Sequence, residues 1–167
     1  RRVLFRSVRA EERVPLFLPQ PPKGKTIVVG AGKAAAAMAK AVEDHYQGEI
    51  SAGLVVTRYQ HGLPLKKIEV VEAGHPMPDD SGQRAAARIL EPAAQAGPDD
   101  LLLCLISGGG SALLSLPATG LTMSDMQLVT KGLLLSGATI SEINCVRKHI
   151  SAIAGGRLAR AANGAQI

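Results

Sequence analysis

The chain is very poor in aromatic residues, which make up 2% of its 167 residues, and it has no tryptophan. Two tyrosines and two phenylalanines are too few for the stacking platform of a single-stranded nucleic-acid-binding protein. Because 46% of the residues are nevertheless hydrophobic, the core must consist of Leu, Val, Ile and Ala. Such a core is typical of helices packed on a parallel sheet. We therefore expect an α/β protein with no nucleic-acid partner.

The chain also has little cysteine and no hydrophobic run that could cross a membrane. Cys104 and Cys145 lack a CxxC spacing, which predicts reduced, structural thiols. No stretch approaches the roughly 20 apolar residues of a membrane span. The N-terminus is rich in arginine and lacks the apolar core of a secretory signal. These absences predict a cytoplasmic protein with no membrane partner.

The excess of positive charge is small. The net charge is +5, and a cluster of five arginines accounts for much of it: Arg1, Arg2, Arg6, Arg9 and Arg13. We interpret this cluster as the solvated face of a short helix. A proline-rich connector follows it at Pro15, Pro19, Pro21 and Pro22. The sequence thus divides into a helix and connector over residues 1–25 and an α/β domain over 26–167.

Hydrophobic patterning predicts strands that alternate with helices. The predicted strands are Thr26–Val29, Ala52–Thr57, Ile68–Glu72 and Leu101–Ile106. Helices are predicted over Ala34–Tyr46, from about Ser111 until Pro117 cuts the helix, and up to Asn163-Gly164 at the end. Three further helices are expected to begin at serine N-caps: Ser81, Ser124 (in a capping box with Gln127) and Ser141. Pro92 should kink or shorten the first of these, and Gly137 should end the second.

This alternation predicts a three-layer, doubly wound and mostly parallel sheet of Rossmann-like type. Such sheets bind ligands where their strands end. Four segments leave strands at that edge and should line one crevice: Gly30–Lys33, Thr57, the 73–78 turn and Ser107–Ser111. The final residues, 165–167, resemble the start of another strand. We therefore expect the chain to be the front part of a longer protein.

The most informative stretch is LLLCLISGGGSALL, at Leu101–Leu114. An apolar strand leads into a loop of three glycines between two serines, and an apolar run follows. Glycines lack a Cβ, so backbone N–H groups in such a loop can converge on an anion. The loop is therefore predicted to bind a phosphate or a carboxylate through Ser107, Gly108, Gly109, Gly110 and Ser111.

A second glycine loop, Gly30-Ala31-Gly32-Lys33-Ala34-Ala35, matches the loose GxGxxA dinucleotide pattern but not the P-loop. The second strand ends in Thr57-Arg58 and lacks the acidic residue that an NAD site uses. An NADP site remains an alternative, because an arginine such as Arg58 can bind the 2′-phosphate of that cofactor. Lys33 lies in the first turn of a helix, where a cation is slightly unfavourable, so an anionic ligand is expected beside it. Gly30, Gly32 and Lys33 are candidate ligand contacts.

Two further groups of polar residues carry candidate chemistry. His75 lies in the proline turn Gly74–Pro78 and is a candidate ligand or acid–base group. Asn144, Arg147, Lys148 and His149 fall on one predicted helix, with the flexible pair Gly155-Gly156 shortly after it. A solvated helix face is an equally good interpretation of the second group from spacing alone.

Taken together, four stretches resemble the N-terminal portion of type-2 glycerate kinases, whose C-terminal part is called the MOFRL domain. They are VVGAGKAAAAMA (Val28–Ala39), EAGHPMPDDSG (Glu72–Gly82), LLLCLISGGGSALL, and INCVRKHISAIAGGRLA (Ile143–Ala159). The resemblance implies ATP-dependent phosphorylation of D-glycerate to 2-phosphoglycerate with Mg²⁺, in a cleft between two domains. It implies that Lys33 handles phosphate, that Arg147 and Lys148 act in catalysis, and that the 107–111 loop, Asn144 and His149 line the cleft.

The chain departs from this family at two places. Ala154 stands where members commonly have a lysine, and the family's acidic SDVxGD-like segment is absent. The metal ligands are therefore expected beyond Ile167, and the isolated chain is predicted to have little or no kinase activity. Two other functions stay open: a nicotinamide-dependent hydroxypyruvate reductase and a non-catalytic sugar-phosphate-binding domain. A homo-oligomer also stays open.

Overall fold

A computed structural model describes residues 9–167 as a parallel sheet with helices on both faces. The strands are β1 (Thr26–Ala31), β2 (Ala52–Arg58), β3 (Glu69–Ala73) and β4 (Leu101–Ile106), in the order β3-β2-β1-β4. All three pairings are parallel. In the register, Ala31 lies beside Val56 and Ile106, so three strands end close together at one edge. The predicted α/β class is confirmed.

The helices begin with α1 (Ala10–Arg13), followed by a 3₁₀ turn (Val14–Phe17). The others, in chain order, are α2 (Ala35–Tyr46), α3 (Asp80–Gln95), α4 (Gly110–Leu113), α5 (Met123–Leu135), α6 (Ile140–His149) and α7 (Arg157–Ala161). Arg1, Arg2 and Arg6 of the predicted arginine helix lie outside the described residues.

Two hydrophobic clusters, one on each face of the sheet, give the three layers that the sequence predicts. Strand β1 is buried along its whole length, and its side chains alternate between the faces. Val28 packs with Val42 of α2, whereas Val29 packs with Ile89 of α3. The small side chains of the alanine-rich helices let α2 and α3 lie close to the strands, which is how a core almost without aromatics is filled.

The N-cap of α3 lies two residues before the predicted one, and Ser81 is inside the first turn of the helix. The Asp79 carboxylate accepts the Gly82 N–H at 3.0 Å and caps the helix instead. Aspartate and serine cap equally well, so spacing alone could not choose between them. The helix also continues past Pro92 to Gln95, and early termination at the proline was wrong.

Helices α5 and α6 also begin before the predicted serines. Each starts at a threonine in a reciprocal capping box, Thr122 with Asp125 and Thr139 with Glu142. In each box the carboxylate at the third helical position accepts the backbone N–H of the threonine. The serines Ser124 and Ser141 lie inside the first turn, past the position of the cap. The N-caps predicted at the two serines, Ser124 and Ser141, and the capping box with Gln127 were therefore wrong.

Two helices end before the predicted proline or glycine. Helix α4 ends at Leu113, well before Pro117, and α7 ends at Ala161 rather than at the predicted Asn163-Gly164. Where residues 165–167 were predicted to start another strand, Gln166 forms a single parallel bridge with Leu101 of β4. In the part of the chain that the structure describes, no helix is both long and apolar enough to cross a membrane.

Candidate functional site

The glycine loop after β4 is positioned by hydrogen bonds to the end of β1. The Ser107 N–H donates to the Ala31 carbonyl at 3.0 Å, and the chain then turns so that the Gly110 N–H reaches the Ser107 carbonyl at 3.2 Å. Gly109 has a φ of 89°, and a Cβ there would lie 2.8 Å from the His75 ring. The loop thus needs glycine at this point for its backbone conformation and for its contact with the histidine turn.

The glycine loop after β1 is closed by packing. A Cβ on Gly30 would overlap the Leu105 carbonyl oxygen, and a Cβ on Gly32 would overlap the Ser107 hydroxyl. At the start of α2, the Ala34 N–H donates to Ser107 Oγ at 3.0 Å and the Lys33 N–H donates to the Gly108 carbonyl at 2.9 Å. The space in which a dinucleotide fold seats its pyrophosphate is therefore occupied by the loop after β4.

A cavity of about 320 Å³, which we name the loop cavity, opens beside the glycine loop. Its walls come from that loop, from α5 and α6, and from the segment that follows α6. None of the described residues that line it carries a carboxylate. They are Pro78, Ile106, Ser107, Gly109, Gly110, Ser111, Ala112, Ser115, Met126, Thr130, Asn144, Arg147, Lys148, Ser151, Ala154 and Gly155.

Helix α6 supplies the charge of the loop cavity. Asn144 and Arg147 are half-buried and Lys148 is exposed, and the three lie on adjoining parts of the helix surface. Burial lowers the pKa of the Arg147 guanidinium, which nonetheless stays charged at neutral pH. Ala154, which stands where the resemblance leads us to expect a lysine, adds no charge.

His75 lies beside the loop cavity, in a cationic environment. Burial lowers its pKa, and the charges of Lys33, Arg58 and Arg147 lower it further. Lys33 is exposed, and its side chain takes part in none of the ion pairs described for residues 9–167. Three cations thus act on one small volume at the sheet edge, which favours an anionic ligand there.

A second cavity, of about 350 Å³, adjoins the first at Lys148 and Gly155. We name it the arginine basin, and its lining is Lys148, His149, Gly155, Gly156, Arg157 and Arg160. His149 Nδ1 is 2.8 Å from the Cys145 carbonyl oxygen, which accepts a hydrogen bond and so assigns the proton to that nitrogen.

The predicted site residues therefore fall into three groups. Eight line the loop cavity: Ser107, Gly109, Gly110, Ser111, Asn144, Arg147, Lys148 and Gly155. His149 and Gly156 line the arginine basin, which Lys148 and Gly155 also border. Gly30, Gly32, Lys33, His75 and Gly108 lie around the two glycine loops without lining either cavity.

Arg58 is the last residue of β2 at the same sheet edge, and its charge acts on His75. The sequence suggested Arg58 only as a contact for NADP. Sequence reasoning missed Arg157 and Arg160, which line the arginine basin. Their position in the four residues after Gly155-Gly156 is the signal that could have identified them.

No cluster of three or more His, Cys, Asp or Glu side chains that could hold a metal occurs among residues 9–167. Two aspartates near the sheet have structural contacts instead. Asp79 caps α3, and the Asp100 carboxylate accepts the Lys25 N–H at 2.7 Å and the Gly97 N–H at 2.8 Å. The described residues therefore offer no cluster of three side-chain ligands for a magnesium ion.

Comparison with known proteins places these features in a family. A family model described as a domain of unknown function, DUF4147, matches residues 2–167. A glycerate kinase of known structure from Thermotoga maritima superposes with a TM-score of 0.90 at 41% identity, covering 98% of this chain and 40% of that one. The doubly wound fold is thus shared with that protein.

The sequence relatives carry two different names. A glycerate 2-kinase of Pyrococcus horikoshii is 48% identical over 145 residues, which are 87% of this chain and 32% of the relative. A protein of Agrobacterium vitis named as a putative hydroxypyruvate reductase is 53% identical over 150 residues, 90% of this chain and 34% of that protein. The chain thus spans about a third of the length of these relatives. The resemblance to glycerate kinases is confirmed, and the chain belongs to the DUF4147 family.

Proposed function

We propose that the protein containing this chain transfers the γ-phosphoryl group of ATP to D-glycerate, giving 2-phosphoglycerate and ADP. The observation that carries this proposal is the loop cavity, whose described lining is free of carboxylates and which combines a glycine loop with Arg147 and Lys148. Lys33 lies beside it, and its exposed side chain takes part in none of the ion pairs among the described residues. The names of relatives such as the Pyrococcus and Thermotoga glycerate kinases support the choice of acceptor.

The proposed chemistry needs charge neutralisation and positioning more than covalent help from the protein. The bond between the γ-phosphorus and the bridging oxygen breaks, ADP leaves with the electron pair, and a glycerate hydroxyl oxygen bonds to phosphorus and loses its proton. Negative charge spreads over the transferred group meanwhile. Lys33, Arg147 and Lys148 supply compensating charge, and the Ser107–Ser111 loop and Asn144 hold the substrates by hydrogen bonds.

The proposed activity includes magnesium as a cofactor. The described residues form no cluster of three side-chain ligands for it, and the steps above are written without it. We propose that its carboxylate ligands come from the part of the full-length protein that this chain does not include. For the same reason we expect the isolated chain to have little or no kinase activity. A cytoplasmic location and a homo-oligomeric state remain predictions.

The alternative hypothesis, a nicotinamide-dependent hydroxypyruvate reductase, has less support. Two Agrobacterium vitis relatives are named as putative hydroxypyruvate reductases. However, the N–H groups of Lys33 and Ala34 are already used by the loop after β4, and β2 ends in Thr57-Arg58 without a ribose-binding carboxylate. The geometry therefore favours phosphoryl transfer over binding of a nicotinamide cofactor.

The test uses the full-length protein. It is incubated with D-glycerate and ATP–Mg²⁺, ADP is measured with a coupled assay, and phosphorus NMR distinguishes 2-phosphoglycerate from 3-phosphoglycerate. A parallel reaction with hydroxypyruvate and NADH or NADPH is followed by absorbance. We expect ADP and 2-phosphoglycerate in the first reaction and no oxidation of the nicotinamide in the second. Oxidation of NADH or NADPH without ADP formation would overturn the proposal.

A sugar-phosphate-binding role without catalysis is tested in the same samples by thermal denaturation. Stabilisation by glycerate together with nucleotide is expected from the kinase. Stabilisation by sugar phosphates alone, with no effect of glycerate or nucleotide, would show a binding domain instead.

A further inference from the structure

The arginine basin has a composition unlike that of the loop cavity. Each of its side chains beyond the two glycines is a cation or a histidine: Lys148, His149, Arg157 and Arg160. The loop cavity, in contrast, has apolar walls from residues such as Ile106 and Met126. Apolar walls with a few polar groups suit a small organic acid, whereas an open basin lined with cations suits a polyanion.

None of the cations of the arginine basin is neutralised within the part of the chain that the structure describes. The described ion pairs are Arg9–Glu12, Lys40–Asp44 and Arg88–Glu69, and all lie elsewhere. Side chains of like charge repel one another when they are held close together. The positive charges of the arginine basin therefore favour a bound anion.

Arg157 is held in place by the backbone around it. Its Nη1 donates to the Lys148 carbonyl at 2.7 Å and to the Ala154 carbonyl at 3.1 Å. A guanidinium has five N–H donors, so the donors on Nη2 and Nε remain available for a ligand. Gly155, with a φ of 66°, brings its backbone close to this group, since a Cβ there would lie 3.2 Å from Nη1. Less rotational freedom is then lost when Arg157 binds an anion.

The basin and the loop cavity share Lys148 and Gly155, so ligands in the two cavities would lie side by side. We propose that the arginine basin binds the polyphosphate tail of the nucleotide, with Arg157 and Arg160 as its contacts, while the loop cavity takes the acceptor acid. The identity of the polyphosphate as that of a nucleotide rests on the proposed function. Lys148 then lies between donor and acceptor.

The test compares Arg160→Gln and Arg157→Gln with the unaltered full-length protein. Lys40→Gln is the matched control, because it removes one exposed positive charge from α2, on the opposite face of the sheet. Kinetics give KM separately for ATP and for D-glycerate, and calorimetry gives the Kd of inorganic tripolyphosphate without catalysis. Thermal denaturation checks that each variant is folded.

We expect both arginine variants to raise the KM for ATP and the Kd of tripolyphosphate by roughly threefold to tenfold, the loss of one charge-assisted contact. The KM for glycerate should change little, and Lys40→Gln should alter none of the three. A rise confined to the KM for glycerate would overturn the assignment, as would arginine variants that behave like Lys40→Gln. If the protein forms no ADP but the arginine variants still weaken tripolyphosphate binding, the kinase proposal fails and the polyphosphate site stands.

Discussion

Two glycine loops leave neighbouring strands of one sheet, and they do different things. The loop after β1 is filled, because Gly30 and Gly32 lie against β4 and the loop that follows it. The loop after β4 borders an open cavity, and Gly108 has no atom near the position of a Cβ. Gly30 and Gly32 permit close packing, as Gly109 and Gly110 do in the second loop, whereas only Gly108 of these five has open space around it. A glycine pattern in the sequence therefore indicates close approach of the backbone, while only the structure shows what approaches it.

The two loops also depend on each other. Ser107, from the loop after β4, accepts the N–H of Ala34, the residue that precedes the first turn of α2, and so ties the two loops together. A substitution in the loop after β1 should therefore affect the loop cavity by lowering the stability of the fold. A substitution in the loop after β4 should affect ligand binding first.

The largest expected effect comes from glycine substitutions. In Gly32→Ala, the new Cβ overlaps the Ser107 hydroxyl at a φ of 139°, so we expect a destabilisation of about 3 kcal/mol or more. Gly108→Ala meets no atom within 4 Å and should change stability by less than about 1 kcal/mol. Thermal denaturation of the full-length protein measures both. Equal Tm values for the two variants would contradict the distinction between a filled and an open loop.

Lys33 should separate stability from activity. Lys33→Ala removes an exposed cation that lies just before the N-cap of α2 and takes part in none of the ion pairs described for residues 9–167, so the Tm should stay the same or rise slightly. If Lys33 stabilises the transferred phosphoryl group, kcat should fall by roughly a hundredfold or more. Steady-state kinetics check this result, with Lys40→Ala, which replaces a lysine within α2, as a control. Turnover close to that of the unaltered protein would show that Lys33 has no part in the reaction.

The two serines of the open loop offer a smaller contrast. Ser107→Ala removes the acceptor of the Ala34 N–H and should lower stability by about 1 kcal/mol, the typical loss for one intramolecular hydrogen bond. Ser111 is exposed and lines the loop cavity, so Ser111→Ala should leave the Tm unchanged and raise the KM for glycerate. Denaturation and kinetics of the two variants test this division. It fails if Ser111→Ala lowers the Tm as much as Ser107→Ala does.

The fold was largely predictable because the strands of a parallel sheet are buried on both faces and therefore consist of continuous apolar runs. Continuous apolar runs located β1, β2 and β4 to within two residues. Helix starts were less predictable because several capping residues compete within a few positions. Thr139 rather than Ser141 is the N-cap of α6, because Glu142 lies three residues after Thr139 and completes a capping box with it.

The site was predictable where chemistry and chain position coincide, as in the 107–111 loop and α6. The sequence could not show that Ser107 would accept the Ala34 N–H, because that bond joins residues 73 positions apart. It also could not show that Arg157 would be turned back onto the Lys148 carbonyl. Both depend on tertiary contacts that leave no periodic signal.

The smallest expected effect concerns pH and His75, which contacts the open loop at Gly109. Burial, Lys33, Arg58 and Arg147 hold its pKa below the ordinary value of about 6.5. The unfolded chain therefore binds this proton more tightly than the folded protein does. The stability that neutral His75 contributes is complete above about pH 6.5 and is lost as the pH falls toward the lowered pKa.

An anion bound beside the glycine loop would offset those three cations and raise the pKa of His75. By linkage, D-glycerate, the ligand proposed for the loop cavity, should then bind more tightly as the pH falls through this range. NMR titration of the histidine ring protons, with and without D-glycerate, measures the shift, and His75→Gln assigns the resonance. Because Lys33 is exposed and screened by solvent, Lys33→Ala should raise the ligand-free pKa only slightly. A His75 pKa that D-glycerate leaves unmoved would place the bound anion away from the glycine loop after β4, and the contrast between the two loops would then concern packing alone.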